Sequence, residues 1–137
     1  MPINFVPERG RILICDFDIA RVPPEMAKVR RVVVMSPRSY NKRHGAGPGR
    51  CFVVPLSATD PGKFLTAADI PFDAGVYETL TVPVWAICAS AMSVSHGRLD
   101  RVRAGHIWSE ELMSDQDLKR IELGLQHALG FPPPADS

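Results

Sequence analysis

The chain has 137 residues, enough for one domain with a substantial core and too few for two. With 45% hydrophobic and 23% charged residues it is not a disordered chain, and a net charge of +1 excludes a uniformly basic nucleic-acid binder. We therefore predict a single domain over residues 1–137, with a core of about 10–130 and a Pro-rich tail at 131–137. The N-terminus has no secretion signal and no apolar stretch is long enough to cross a bilayer. The three cysteines are far apart within apolar runs, which predicts reduced core residues and a cytoplasmic location (Cys15, Cys51, Cys88).

Short apolar runs in the first two thirds of the chain predict β-strands. They cover residues 11–18, 30–36 and 51–57, then one or two strands over 80–94, and short strands at 98–101 and 105–108. Prolines and glycines predict loops at 21–28 and 41–49.

A helix is predicted at the C-terminus. Ser114 and Asp117 form a capping pair, and Gly130 with the prolines after it ends the helix. A run of strands followed by one helix predicts a mainly β fold, an antiparallel sheet or barrel with an attached C-terminal α-helix. The apolar residues that recur at helical spacing on one face are Leu118, Ile121, Leu125, Ala128 and Leu129.

Positive charge is concentrated in residues 26–59, which contain no Asp or Glu. Such a segment attracts a polyanion, or it is a solvated basic loop that lies beside the acidic residues of the remaining chain. Composition alone leaves both interpretations open. The basic residues of the segment are Lys28, Arg30, Arg31, Arg38, Lys42, Arg43 and Arg50.

The sequence gives no indication of a metal or cofactor site. The glycines at 45–49 lack the Lys-Ser/Thr of a phosphate loop, and the four histidines lack metal-ligand spacing. We therefore predict no metal and no cofactor.

Several short motifs follow one another in an order that is similar to a known family. They resemble the MazF/PemK-like family of type II toxin–antitoxin endoribonucleases, and in particular its PemK-like branch. The resemblance extends from about Gly10 to Leu129. In chain order the motifs are Gly10 with the strand to Asp18, Glu25 with Arg30, Ser36-Pro37 with Tyr40-Asn41, residues 54–57, residues 84–88 and residues 98–101.

The resemblance implies an SH3-like β-barrel of the kind shared by MazF, PemK and CcdB proteins, assembled as a homodimer. It also implies a toxin that cleaves single-stranded RNA without a metal, leaving a 2′,3′-cyclic phosphate and a 5′-hydroxyl. The expected partners are single-stranded RNA, a second copy of the chain and an antitoxin with an acidic, partly disordered segment. No membrane partner is expected.

The resemblance also assigns roles to residues. Arg30 matches the catalytic arginine, Ser57 a phosphate-contacting hydroxyl, and Glu25 a candidate general base. Each has an ordinary alternative, since Arg30 can pair with an acid, Ser57 can bond local backbone and Glu25 can be solvated. The residues expected to contact RNA are Lys28, Arg31, Arg38, Tyr40, Lys42, Arg43 and Arg50.

The chain departs from the PemK pattern at two positions. Ile87 and Ala89 stand where that branch has a basic residue and an Asp of the acid/base pair. Either Glu25 works with another group, for which His96 is a candidate, or the chain is a catalytically weakened member that binds RNA or antitoxin. A CcdB-like gyrase-binding poison is a further alternative, although the C-terminus lacks the Trp typical of those proteins. An unrelated barrel that recognises a peptide would leave the basic segment unexplained.

Overall fold

A computed structural model describes residues 2–18, 23, 28–42 and 48–132. Seven of its strands form one antiparallel sheet, and two more form a separate hairpin. No helix in the described residues is long and apolar enough to span a membrane. The strands are β1 Ile12–Asp16, β2 Val29–Val34, β3 Arg50–Ser57, β4 Asp69–Phe72, β5 Val84–Ile87, β6 Met92–Ser95, β7 Leu99–Asp100, β8 Arg103–Ala104 and β9 Ile107–Trp108. The helices are α1 Arg38–Asn41 and α2 Asp115–Ala128.

The long strand β3 organises the sheet. One edge of β3 pairs with β2. Strand β2 pairs in turn with β1, and β1 pairs with β7. The other edge pairs first with β6 and then, towards its C-terminal end, with β5 and beyond it β4. A turn of 3-10 helix at Cys88–Ser90 separates β5 from β6, so that the two short strands lie in succession along one edge of β3.

Both faces of the sheet are covered by apolar side chains. On one face Leu118 and Ile121 of α2 pack with strand residues such as Val33 and Val54. On the other face, the N-terminal segment contributes Ile3 to a cluster with β1, β2, β3, β6 and β7. The apolar positions of a half-buried β-sheet alternate between the faces, which is why successive valines of β2 enter different clusters.

Most predicted elements are confirmed, with their ends shifted. Ser114 caps α2 by accepting a hydrogen bond from the backbone N–H of Asp117, as predicted. The predicted strand at 80–84 is wrong, because β5 begins only at Val84 after Pro83. The stripe on α2 is only partly buried: Leu129 remains 71% exposed, because the sheet ends before the helix does. The sequence analysis missed β4, β8 and α1 altogether.

The Ser-Pro and Tyr-Asn motifs include a structural pair. The side chains of Ser36 and Asn41 are buried and hydrogen-bonded to each other, Oγ to Oδ1, at 2.5 Å. The Asn41 amide also donates to the carbonyl oxygens of Pro7 and Ser36 at 2.9 Å, and the Phe52 backbone N–H donates to the Ser36 hydroxyl. These contacts fasten α1 to the N-terminal segment and to β3.

Candidate functional site

A line of residues crosses five strands at the end of the sheet where β2 begins and β3 ends. Arg30 of β2 pairs with Cys15 of β1, and Ser57 of β3 pairs with Trp85 of β5. Trp85 pairs in turn with Pro71 of β4. Residues opposite one another on antiparallel strands share a face. We call the half-exposed part of this face, from Arg30 to Pro71, the transverse strip.

Arg30 and Ser57 come together although they are far apart in sequence. The last recorded pair of β2 and β3 is Arg31 with Leu56, and Arg30 and Ser57 stand one residue beyond it on the two strands. Neighbouring strands are about 5 Å apart. A half-buried guanidinium and a hydroxyl therefore occupy adjacent positions on one face.

The Ser57 hydroxyl has both a local partner and a proton left to donate. Its Oγ accepts a hydrogen bond from the backbone N–H of Thr59 at 3.2 Å, and the side chain is buried. The local backbone contact considered from the sequence is therefore present. Because a hydroxyl is both donor and acceptor, this contact leaves its O–H free to donate to a ligand oxygen.

Arg31 belongs to the other face of the sheet. It pairs with Ile14 and Leu56, and its Nε is buried without a hydrogen-bond partner among the described residues. Arg30 and Arg31 both border a cavity of about 220 Å³ with mainly apolar walls, which include Val82. The two neighbouring arginines thus belong to different faces of the sheet, and both border this one cavity.

Among the described carboxylates, Asp69 of β4 does not complete an acid/base pair with Ser57. Glu25 lies outside the described residues. Asp69 pairs with Ile87, which follows Trp85 by two residues on the same face. Asp69 lies two strands away from Ser57 and two residues further along the strand direction. Strand geometry therefore puts the Cα atoms of the two residues about 12 Å apart. Ala89 is exposed in the turn after β5.

The predicted basic segment is divided between the two ends of the sheet. Lys28 lies just before β2 at the end that carries Arg30, and its backbone has a φ of 70°, stabilised by donation of its N–H to Asp18 at 2.6 Å. Arg50 begins β3, whose other end is Ser57, about 23 Å away for seven residues. Within one chain, the basic residues that flank β3 therefore lie in two groups, and their contact with RNA stays a prediction. Arg43 lies outside the described residues, and the other exposed members at the Arg50 end are Arg38, Tyr40 and Lys42.

His96 is not brought to the transverse strip. Its backbone N–H donates to the Gly49 carbonyl at 2.9 Å, which places it beyond the Arg50 end of β3. The side chain is buried, and its Nε2 has no partner among the described residues. Burial lowers the pKa of His96, while a hydrogen bond with the backbone of Asn41 acts in the opposite direction. A neutral histidine in this place cannot reach a proton beside Arg30 of the same chain.

Trp85 is the member of the strip that the sequence analysis missed. That analysis gives Trp85 no role in the site, and the structure leaves it half-buried beside Ser57. The alternation of side chains along β5 indicates this position, because Val84 and Ala86 are buried on one face and Trp85 and Ile87 are half-buried on the other. The strip thus combines a guanidinium, a hydroxyl and an aromatic ring, which are groups that bind phosphate oxygens and stack on bases.

Comparisons with known proteins identify the family and the fold. The sequence model of the PemK-like, MazF-like toxins of type II toxin–antitoxin systems matches residues 8–129. The uncharacterized protein YifN of Escherichia coli is 33% identical over 123 residues, 75% of this chain and 78% of YifN.

Solved structures with the same fold include MazF of Deinococcus radiodurans, with a TM-score of 0.69, 18% identity, and coverage of 93% of this chain and 100% of MazF. A mycobacterial endoribonuclease in complex with its cognate antitoxin has a TM-score of 0.58 and 19% identity, covering 96% of this chain and 100% of that one.

Proposed function

Because the chain belongs to the family of PemK-like, MazF-like toxins of type II toxin–antitoxin systems, we propose that it is an endoribonuclease that cleaves single-stranded RNA. The observation that carries the proposal is the meeting of Arg30 and Ser57 on the transverse strip, next to Trp85. Two motifs separated by 27 positions come together only through the pairing of β2 with β3.

The reaction needs little more than charge stabilisation and proton transfer. The RNA 2′-hydroxyl attacks the adjacent phosphorus, and the 5′-oxygen of the next nucleotide leaves, which gives a 2′,3′-cyclic phosphate and a 5′-hydroxyl. Arg30 offers a two-pronged donor to the phosphorane oxygens and keeps its charge at any working pH. The Ser57 hydroxyl donates to a second oxygen. One such contact is worth a factor of about 10²–10³ in rate.

Proton transfer is the weaker part of the machinery. Asp69, about 12 Å from Ser57, is too far to take a proton from the same 2′-hydroxyl, since a general base must be within about 3 Å of that proton's oxygen. Glu25 remains our proposal for the general base. Ile87 and Ala89 cannot replace the basic residue and the Asp of the PemK pattern, and a missing acid/base partner costs about 10²–10⁴ in rate. We expect a slow enzyme.

We propose that the active form is a homodimer and that an antitoxin restrains it. Support for the antitoxin comes from two structural neighbours, a MazE–MazF complex and a mycobacterial endoribonuclease in complex with its cognate antitoxin. An antitoxin that blocks Arg30 would need acidic residues, because the surface it covers carries Lys28 and Arg30. A cytoplasmic location remains our prediction.

The test is cleavage of a mixed single-stranded RNA pool in excess EDTA. Wild-type protein should produce new 5′-hydroxyl ends, and Arg30→Ala should lower the rate by about 10²-fold or more. Lys119→Ala is the control, since it removes one positive charge from the exposed surface of α2, outside the strip. Equal losses in the two folded variants would contradict the assignment of Arg30 to the cleavage site.

A second candidate function follows from Ile87 and Ala89. A family member with these residues can bind RNA or antitoxin and not cleave. Measurable RNA binding without new ends, at high protein concentration and long incubation, would favour this binder over the enzyme.

A further inference from the structure

A second cavity lies at the other end of β1 from Arg30. Its volume is about 360 Å³, and it is bordered by the N-terminal segment, α1 and the β8–β9 hairpin. Arg11 immediately precedes β1. Cys15, which pairs with Arg30, lies four residues further along the chain, so the Cα atoms of Arg11 and Cys15 are about 13 Å apart. Three arginines from separate parts of the chain reach this cavity, namely Arg11, Arg38 and Arg101.

Aromatic rings contact the guanidinium groups of two arginines that line this cavity, Arg11 and Arg101, and of Arg103 beside it. The Cζ of Arg11 lies 4.7 Å from the centre of the Phe5 ring. The Cζ atoms of Arg101 and Arg103 lie 4.3 Å and 4.5 Å from the centre of the Trp108 ring. A cation over a ring is attracted to its face, and this contact leaves the N–H groups at the guanidinium edge for other partners.

Those N–H groups are largely without acceptors. Arg11 donates from Nη2 to the carbonyl of Ser109 at 3.1 Å, and its buried Nε has no partner in the described part of the chain. Within the same residues, the guanidiniums of Arg38, Arg101 and Arg103 have no hydrogen bond or ion pair to a protein acceptor. The cavity thus presents positioned donors for acceptors that a ligand would bring.

Two carboxylates define the ligand further. Glu8 and Glu110 line the same cavity, and no ion pair within 4.0 Å joins either to its arginines among the described residues. Burial lowers the pKa of Arg11, and the charges of these two carboxylates oppose that shift. Their negative charge disfavours a ligand that is only anionic, such as a strongly acidic peptide. A nucleotide has both phosphate oxygens for the arginines and base N–H groups for the carboxylates.

We propose that this cavity binds one nucleotide of the RNA strand, outside the cleavage site at Arg30 and Ser57. The inference rests on the proposed ribonuclease function and extends it. The volume of the cavity falls within the range of small-ligand sites. Because the cavity is about 13 Å along β1 from the register of Arg30, only RNA several nucleotides long can occupy both sites.

The experiment compares short and long RNA. Fluorescent 2′-O-methyl oligonucleotides of about two and about twelve nucleotides are bound to wild type, Arg101→Ala and Trp108→Ala, because about two nucleotides are too short to span about 13 Å. Both variants should weaken binding of the long probe about tenfold and leave binding of the short probe, and cleavage of short RNA, unchanged. For the long probe, the slope of the logarithm of the binding constant against the logarithm of the salt concentration should become less steep by about 0.7 in Arg101→Ala. This is the value for the loss of one phosphate contact on a single strand.

Two further variants serve as controls. Lys63→Ala removes another cation over a ring, 5.3 Å from the centre of Phe64 on the exposed surface outside the cavity, and should change nothing. Trp108→Phe keeps a ring under the guanidiniums and should retain most of the affinity for the long probe.

Each outcome separates the two proposals. Unchanged affinity for the long probe in both alanine variants, or equal loss with short and long probes, would overturn the nucleotide site while leaving the ribonuclease intact. Loss of affinity for an acidic antitoxin peptide without loss for RNA would assign the cavity to a protein partner and also overturn it. If the wild type neither binds nor cleaves any RNA, the ribonuclease proposal itself fails.

Discussion

Gly124 allows α2 to approach the sheet, and its replacement has a calculable effect. A Cβ built at this position would lie 2.7 Å from the Sγ of Cys88 and 3.1 Å from two side-chain carbons of Ile70. Carbon contacts are normally about 3.5–4.0 Å, so that Gly124→Ala must displace the helix or the sulfur by about 1 Å. Overpacking of this kind costs about 1–3 kcal/mol.

The helix itself gains from the same substitution. Alanine in a helix interior is about 1 kcal/mol more favourable than glycine, which offsets part of the overpacking. We therefore expect Gly124→Ala to lower the free energy of unfolding by about 1 kcal/mol, and Tm by roughly 4 °C. Gly97→Ala is the matched control, because its Cβ would lie 3.4 Å from the Ser95 Oγ and would meet nothing closer.

Urea unfolding of a double-mutant cycle tests the cause. Cys88→Ala removes the atom that the new methyl group meets, and the methyl group then fills the space left by the sulfur. The double variant should be more stable than the sum of the single effects predicts, by about 1 kcal/mol. Additive effects, or a more stable Gly124→Ala protein, would refute the reasoning from this contact.

Three further predictions follow from the packing and the strip. Tyr77→Phe should lower the free energy of unfolding, measured in urea, by about 1–3 kcal/mol, because the Tyr77 hydroxyl donates to Asp117 at 2.6 Å and accepts the Ser114 N–H at 2.8 Å. Tyr40→Phe, at an exposed position, should leave the free energy of unfolding unchanged. Trp85→Ala should weaken RNA binding by about 1–3 kcal/mol if a base stacks on this ring, and Trp85→Phe should retain most of it; equal affinity in all three proteins would exclude stacking. Burial raises the pKa of the thiols of Cys15, Cys51 and Cys88 from 9.0 to about 12, so the native protein should resist thiol reagents at pH 8. Its free energy of unfolding should fall as the pH rises from 9 towards 12, because the thiols of the unfolded chain ionise first. Full labelling of the native protein at pH 8 would contradict this prediction.

Local patterns predicted the elements that local chemistry determines. The Ser114 cap and the glycine after α2 specify that helix within a few residues of sequence. The strand β4 was missed because Asp69–Phe72 is short, polar at its start and contains Pro71, features that usually argue against a strand. It forms because β5 offers a free edge, which is a tertiary effect.

In the candidate site, too, local sequence patterns point to individual residues and tertiary structure determines how they are arranged. The motifs predicted Arg30 and Ser57 separately, and the antiparallel pairing of β2 and β3 brings them together. The spatial separation of Arg50 from Ser57 was not visible in composition, because a net charge per segment takes no account of strand direction. His96 is close to neither Arg30 nor Ser57, since it lies beyond the Arg50 end of β3.

The most direct test of the central claim concerns the nucleophile of the cleavage reaction. The RNA site cut by the wild-type protein is mapped, and an oligonucleotide with a single 2′-deoxy substitution on the 5′ side of that site is then compared with the unmodified strand in excess EDTA. The account predicts that the deoxy strand stays intact, that the unmodified strand yields a 2′,3′-cyclic phosphate by mass, and that Arg30→Ala cuts neither. Cleavage of the deoxy strand at the unmodified rate would show that water, and not the 2′-hydroxyl, attacks the phosphorus, and would contradict the mechanism.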